Sequence, residues 1–335
     1  APTSRHRAFL RLQMTTPKKI LVTGATGFLG RHVVPVLESR YGKGAVTGVS
    51  SKDYDLTEQA AAREMFRDLR PDWVVALAGY VGGIGANVAF PADFYYRNLM
   101  MITLTLHEAW KAGAKRILNV MGGCSYPGQA ASPLSEEQMW EGRPASESAP
   151  YSMAKKMAIV QSEAYRCQHR FRAIVLIPGN VYGEHDNYSL RDAHVIPATI
   201  RKFFEAKRAG ASEVTMWGSG KPTRDFVYAA DVAALFPYFL ENYDSPEPIN
   251  LSTGQSTSIR ELAELTRELT GYPGRIAWDA SKPDGKLFKI FSNRKLRALG
   301  LDCPTPLREG LKKTVDWFAA NYDRGTVRLS NPSDQ

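Results

Sequence analysis

Apolar residues follow two rhythms along this chain. Short β-branched runs at Lys19 to Thr23, Ala45 to Val49, Asp72 to Leu77, Arg116 to Met121 and Arg172 to Ile177 read as strands. Between them, Phe28 to Tyr41, Thr57 to Leu69, Pro91 to Ala112 and Tyr151 to His169 carry apolar residues at helical spacing. Strand and helix alternating in this way predict βαβ units on a parallel sheet, that is, an α/β Rossmann-like doubly wound fold. After Pro178 the rhythm breaks into Gly-, Pro- and Asn-rich stretches, with helices predicted over Val195 to Lys207, Ser258 to Thr270 and Pro306 to Tyr322. That change predicts a smaller mixed α/β substrate-binding lobe. The expected organisation is a dinucleotide-binding domain over 18–178, a lobe over 179–323 and a mobile polar tail over 324–335. The run Met14-Thr-Thr-Pro-Lys-Lys reads as a start, which makes Ala1 to Gln13 an upstream extension, a transit peptide being the alternative, and 1–17 is expected to be disordered.

Composition narrows the class. With 335 residues, 44% of them hydrophobic, the chain can bury a sizeable core. Its three cysteines, Cys124, Cys167 and Cys303, make no disulfide framework, and no Cys/His spacing suits a metal. A reducing, cytoplasmic setting is expected. No apolar run of about 18 residues is present to span a bilayer. The formal charge is +9, but Arg5, Arg7, Arg11, Lys18 and Lys19 supply five of those charges with no acid among them. The modest remaining excess suits an anionic small molecule rather than nucleic acid or a membrane, and a simply solvated surface explains it equally well.

Candidate chemistry begins directly after the first strand. Gly24-Ala25-Thr26-Gly27-Phe28-Leu29-Gly30 places glycines where a tight turn lets the backbone approach a pyrophosphate at the next helix's N-terminus. At the end of the second strand stands Val49-Ser50-Ser51-Lys52, with no carboxylate at the tip to take a ribose hydroxyl. With Ser51, Lys52 and Arg31 in reach of a 2′-phosphate, NADP(H) is expected over NAD. Asp55 could reach the adenine or cap the helix near Thr57. Ligands of open α/β sheets lie at the carboxyl ends of the strands, which adds Leu77, Ala78, Val120, Pro178, Asn180 and Val181 to the cofactor side. Tyr151-Ser-Met-Ala-Lys155 sets a phenol and an ammonium four residues apart on one helix face. There the lysine is expected to lower the phenol's pKa, so that Tyr151 trades a proton at a sugar oxygen as hydride moves to or from the nicotinamide.

From about Lys19 to Tyr322 the chain resembles the GDP-L-fucose synthases, NADPH-dependent epimerase/reductases of GDP-4-keto-6-deoxy-D-mannose. The resemblance rests on Val81-Gly-Gly-Ile84 with Pro91-Ala-Asp-Phe94, Cys124-Ser-Tyr-Pro127, Tyr151 to Lys155, and Asn180-Val-Tyr-Gly183 with His185-Asp-Asn187. It continues through His194-Val-Ile-Pro197, Trp217-Gly-Ser-Gly220 with Arg224, and Ser281-Lys-Pro-Asp-Gly285. It implies that Cys124 and His194 are the acid/base pair that epimerises the carbons flanking the 4-keto group. It implies further that Asn180 and His194 border the sugar, and that Lys202, Trp217, Arg224, Asp284 and Lys289 grip GDP. A homodimer through the helices Pro91 to Ala112 and Tyr151 to His169 is implied likewise. Two positions depart from the family: Gly122 stands where a serine or threonine hydroxyl would share the 4-oxygen with Tyr151, and Lys202 where an arginine is usual. Ser125, expected to face the other way, is a poor replacement. A 4-keto-reductase or 4-epimerase of another NDP-hexose or heptose therefore stays open, as does a non-catalytic NADP-sensing protein.

Overall fold

The computed structural model describes residues 17–329 apart from Pro283; the expected extension before residue 17 lies outside the described residues. The first half runs β1 (Ile20–Thr23), α1 (Phe28–Tyr41), β2 (Val46–Val49), α2 (Gln59–Leu69), β3 (Trp73–Ala76), α3 (Ile84–Ala89), α4 (Pro91–Lys111), β4 (Arg116–Val120), α5 (Ala149–His169) and β5 (Arg172–Pro178). Each predicted strand and long helix is present within two residues of its expected bounds. The shifts have local causes. Pro150 in the first turn lets α5 start two residues before Tyr151, and Asp55 accepts from the Thr57 amide and hydroxyl in a turn that delays α2.

Six strands of the described residues form one parallel sheet in the order β2-β1-β3-β4-β5-β10, where β10 (Ile249–Leu251) comes from the second half. Side chains alternate between its two faces, because successive residues of a strand point to opposite sides. Ile20 and Val22 pack with α1 and Phe236, whereas Leu21 packs with Met65, Phe66 and Leu106. Val74 and Val75 divide in the same way, as do Ile117 and Leu118. Both faces being covered, the inner strands β1, β3 and β5 read as nearly unbroken apolar runs.

The second half runs β6 (Asn180–Tyr182), α6 (Val195–Arg208), β7 (Glu213–Trp217), β8 (Thr223–Arg224), β9 (Phe226–Tyr228) and α7 (Ala229–Asn242). After β10 come β11 (Thr257–Ser258), α8 (Ile259–Thr270), β12 (Arg275–Asp279), β13 (Phe288–Lys289), α9 (Arg294–Ala298) and α10 (Leu307–Tyr322). Ser258 is the cap of α8 rather than its first residue, and it exchanges hydrogen bonds with Glu261 in a capping box. A separate core built on α6, α8 and α10 joins Tyr188, Ile196, Leu262, Leu311 and Phe318. The boundary expected at residue 178 is not a clean one: α7 packs on α1 and β10 pairs with β5, so 229–251 return to the nucleotide domain. Of the tail expected to be mobile over 324–335, residues 324–329 pack back on the lobe and bury Val327 in its core, and 330–335 lie outside the described residues. Among the described residues no helix is long and apolar enough to cross a membrane.

Candidate active site

Strand order reverses at β1, which has β2 on one side and β3 on the other, and such a switch point opens a crevice at the strands' carboxyl ends. The glycine turn fills it. Gly24 has φ +66°, and a Cβ there would stand 2.8 Å from the Ala78 nitrogen. A Cβ on Gly30 would stand 2.3 Å from the Gly24 carbonyl oxygen. Leu77 and Ala78 donate their amides to the Thr23 carbonyl and hydroxyl at 3.3 and 3.2 Å, which holds the two chain ends together. Gly27 begins α1 with no side-chain cap and no acid in the first turn, so the first amides and the positive helix end are left for an anion.

Beside this turn, Ser51 and Lys52 are exposed after β2. The nearby carboxylates are both engaged. Asp53 accepts from the Ser50 amide and hydroxyl at 2.8 Å, and Asp55 serves Thr57. Asp55 therefore does not cap α2, whose N-cap is Glu58; its carboxylate makes a turn with Thr57 ahead of the helix. Val120, Ala78, Thr23 and Lys155 line a cavity of about 10 Å³ behind the crevice.

At the end of β4 the chain makes one helical turn, Gly123–Ser125, where an extended segment was expected. It sets Cys124 and Gly122 against Tyr151: a Cβ on Gly122 would lie 3.2 Å from Cys124 Sγ and 3.5 Å from Tyr151 Oη. The neighbouring Gly123 has no such freedom, since a Cβ there would meet the Phe291 ring at 2.4 Å. Ser125 is fully buried and donates to the Ser152 carbonyl at 3.2 Å, so its hydroxyl points into α5 and leaves the Gly122 position without one. Tyr151 lies edge-on to Phe94, with centroids 6.0 Å apart.

Electrostatics tie these groups into one cleft. Burial pushes Lys155 down to about 8, and its Coulomb interaction with Cys124 opposes that shift. Burial and then Cys124 push the Tyr151 phenol up. The phenol is raised rather than lowered as expected from Lys155, because burial dominates, and the neutral phenol is a proton donor. His194, at the head of α6, is lowered by desolvation and then by the Lys289 ammonium, which favours a neutral imidazole. Lys289 is itself lowered by burial, with Cys124 opposing.

Further along the cleft, β8 and β13 pair in parallel so that Arg224 stands beside Lys289. Arg224 Nη1 donates to the carbonyls of Thr223 and Lys286 at 2.8 Å, which aims the guanidinium. Lys286, which the sequence reading missed, adds a third cation; its only signal was its place three residues before Lys289. Trp217 is 68% exposed, with Lys202 and Lys282 ammonium groups 5.7 and 5.8 Å from its ring. Asp284 does not face this space as a free group, because both its oxygens accept from Ser219, at 2.7 and 2.6 Å. It braces the Trp217–Gly220 turn. Asn180 likewise donates its side-chain amide to the Asp225 carbonyl at 2.8 Å, just after Pro178 and beside Val181.

A profile of the NAD dependent epimerase/dehydratase family matches residues 20–252. GDP-L-fucose synthase 1 of Arabidopsis thaliana is 38% identical over 303 residues, covering 90% of this chain and 94% of that protein. The chain belongs to the GDP-L-fucose synthase family. A crystal structure of the family from Naegleria fowleri bound to NADP superposes with a TM-score of 0.85 at 30% identity, covering 94% of this chain and 99% of that one. A GDP-mannoheptose C4 reductase from Campylobacter jejuni with NADP bound also aligns, at TM-score 0.82 and 27% identity over 91% of this chain and 99% of its own. Within this fold, the dinucleotide turn has no space for added side chains at Gly24 and Gly30. Gly30→Ala is expected to raise the Kd for NADPH at least tenfold, measured by quenching of protein fluorescence, with the thermal midpoint shifting by only a few degrees.

Proposed function

We propose that this chain is an NADP(H)-dependent epimerase/reductase of a GDP-4-keto-6-deoxy sugar, exchanging protons at C3 and C5 before hydride reaches C4. The observation that carries the reading is the placing of Cys124 against the Tyr151 hydroxyl at the Gly122 turn, with Lys155 one helical step on and Lys289 acting electrostatically on both Cys124 and His194, beside Arg224 and Lys286. Residues 24–30 would cradle NADPH, with Ser51 and Lys52 available to its 2′-phosphate, and the cofactor would supply the hydride. A ketone acidifies its neighbouring C–H bonds, so Cys124 and the His194 imidazole exchange those protons. Tyr151 then gives its proton to the 4-oxygen, and the Lys155 ammonium stabilises the phenolate left behind. The three cations receive the diphosphate, which offsets the cost of burying them without carboxylates, and Trp217 with Lys202 faces the base.

Gly122 favours a second reading, a 4-keto-reductase of another GDP-hexose or heptose, because the carbonyl oxygen loses one donor and the pocket gains room. The exposed side chains of Tyr95 and Tyr96 on α4 and Val160 on α5 support pairing of two copies through these helices. The free thiols of Cys124, Cys167 and Cys303 suit a reducing cytoplasm.

The test is NADPH oxidation with GDP-4-keto-6-deoxy-D-mannose in deuterated water, with the product identified by NMR. Deuterium at C3 and C5 is expected, and Cys124→Ala or His194→Ala should remove it while leaving NADPH affinity unchanged. Turnover without deuterium would select the plain reductase; no turnover despite NADPH binding would remove this sugar as substrate. Gly122→Ser is expected to raise the reductive kcat by roughly tenfold, as one donor to a developing oxyanion commonly supplies that much or more. An unchanged rate would mean that another group already donates there. Because Lys155 holds its proton below about 8, the reductive kcat/KM should fall as pH rises through that value; a flat profile from pH 7 to 9 would remove the lysine from the mechanism.

A further inference from the structure

The segment after α10 forms a strap over the lobe. Gly325, at φ +66°, turns the chain back, and Val327 enters the core with Tyr188, Ile196 and Phe318. Arg328 then bridges Asn187 in parallel, and its carbonyl accepts the Tyr188 amide at 2.8 Å. Arg201 on α6 closes the latch, its Nη1 donating to the carbonyls of both Tyr188 and Leu329 at 3.0 and 3.2 Å. Arg201 Nε holds Glu205 at 2.8 Å, and the Tyr322 hydroxyl reaches the same oxygen at 2.7 Å.

What the strap covers is the loop over 183–193, which joins Asn180 on β6 to His194 at the head of α6. Its carboxylates Asp186 and Asp192 are only 4% and 2% exposed, and the Arg328 guanidinium is attracted to both. Two buried acids in one loop are costly without a cation facing them. Burial pushes Asp186 up to about 7, and Arg328 opposes that shift. The Asp192 carbonyl accepts the Gly83 amide at 2.9 Å, which ties the loop to the Val81-Gly-Gly-Ile84 motif. On the other side His185, held at φ +66°, lies edge-on to Trp317 of α10 at 4.7 Å and to His32 of α1 at 5.8 Å. A loop with a left-handed histidine and two buried acids keeps that shape only because its surroundings over-determine it.

We propose that the strap over 327–329, with Arg328 as its positioning residue, sets the place of His194 by fixing the 183–193 loop against α6. The catalytic consequence rests on the function proposed above; the structural one does not. The experiment compares amide hydrogen exchange in the full chain, a chain ending at Thr326, Arg328→Ala and Arg328→Lys. Exchange across 183–193, and at Tyr188 above all, is expected to speed at least tenfold in the shortened chain and several-fold in Arg328→Ala, with Arg328→Lys recovering most of the protection. Exchange in β1 and α1 and the Kd for NADPH should stay within twofold. Deuterium incorporation into a 4-keto sugar should fall about tenfold in kcat. Unchanged loop exchange in Arg328→Ala overturns the proposal, and so does equal loosening of β1 and α1; should the shortened chain fail to fold, the point variants decide. Faster loop exchange in an enzyme whose full chain turns over no 4-keto sugar would uphold the strap and sink the function.

Discussion

The contact on which the site depends is between two pieces of backbone. The chain leaving β1 and the chain leaving β3 approach so closely that Gly24 has no room for a Cβ against Ala78, and α1 presses on the same turn through Gly30. This closeness follows from strand order, since β1 is where the winding of the sheet reverses. It fixes where an uncapped helix start faces solvent. It also places β4 and β5 in sequence beyond β3, so that the Gly122–Ser125 turn and the start of α5 open on the same crevice.

The second constraint is electrostatic. Arg224, Lys286 and Lys289 are all shifted down by burial, and Asp284, the acid placed nearest them by sequence, is turned to Ser219 instead. A cluster of desolvated cations is unfavourable in isolation and favourable around a diphosphate. The return of α7 and β10 to the nucleotide sheet makes the arrangement rigid, because the lobe that carries the cations is anchored by strand pairing as well as by a single linker.

The sheet was legible in the sequence because a buried parallel strand leaves a continuous apolar run and an amphipathic helix leaves a period of 3.6. The dinucleotide turn and the Tyr151–Lys155 pair were legible for a similar reason, each being local: one is a strand-to-helix turn, the other a single helical step. What distant segments bring together was not. The three residues of β10 are too few to show a rhythm, and the pairing of Arg224 with Lys289 depends on strand register that no local pattern records. Lys286 was missed for that reason. The union of Cys124 with His194 came from family resemblance alone, since a lone cysteine and a lone histidine carry no spacing signal. Asp284 was read as a ligand because of its motif, whereas its hydrogen bonds make it a brace. The tail was read as mobile because it is polar, and one valine with backbone bonding was enough to dock it.

Two adjacent glycines at the end of β4 have opposite prospects under mutation. Gly123 is locked by the Phe291 ring, so almost any replacement there disturbs the core before it touches chemistry. Gly122, one peptide away, faces only side-chain atoms: a Cβ there would meet Cys124 Sγ at 3.2 Å and Tyr151 Oη at 3.5 Å, so a small side chain enters if the Cys124 thiol gives by a few tenths of an ångström. A side chain added at Gly122 therefore presses first on the Cys124 thiol and the Tyr151 hydroxyl, whereas one added at Gly123 presses first on the core.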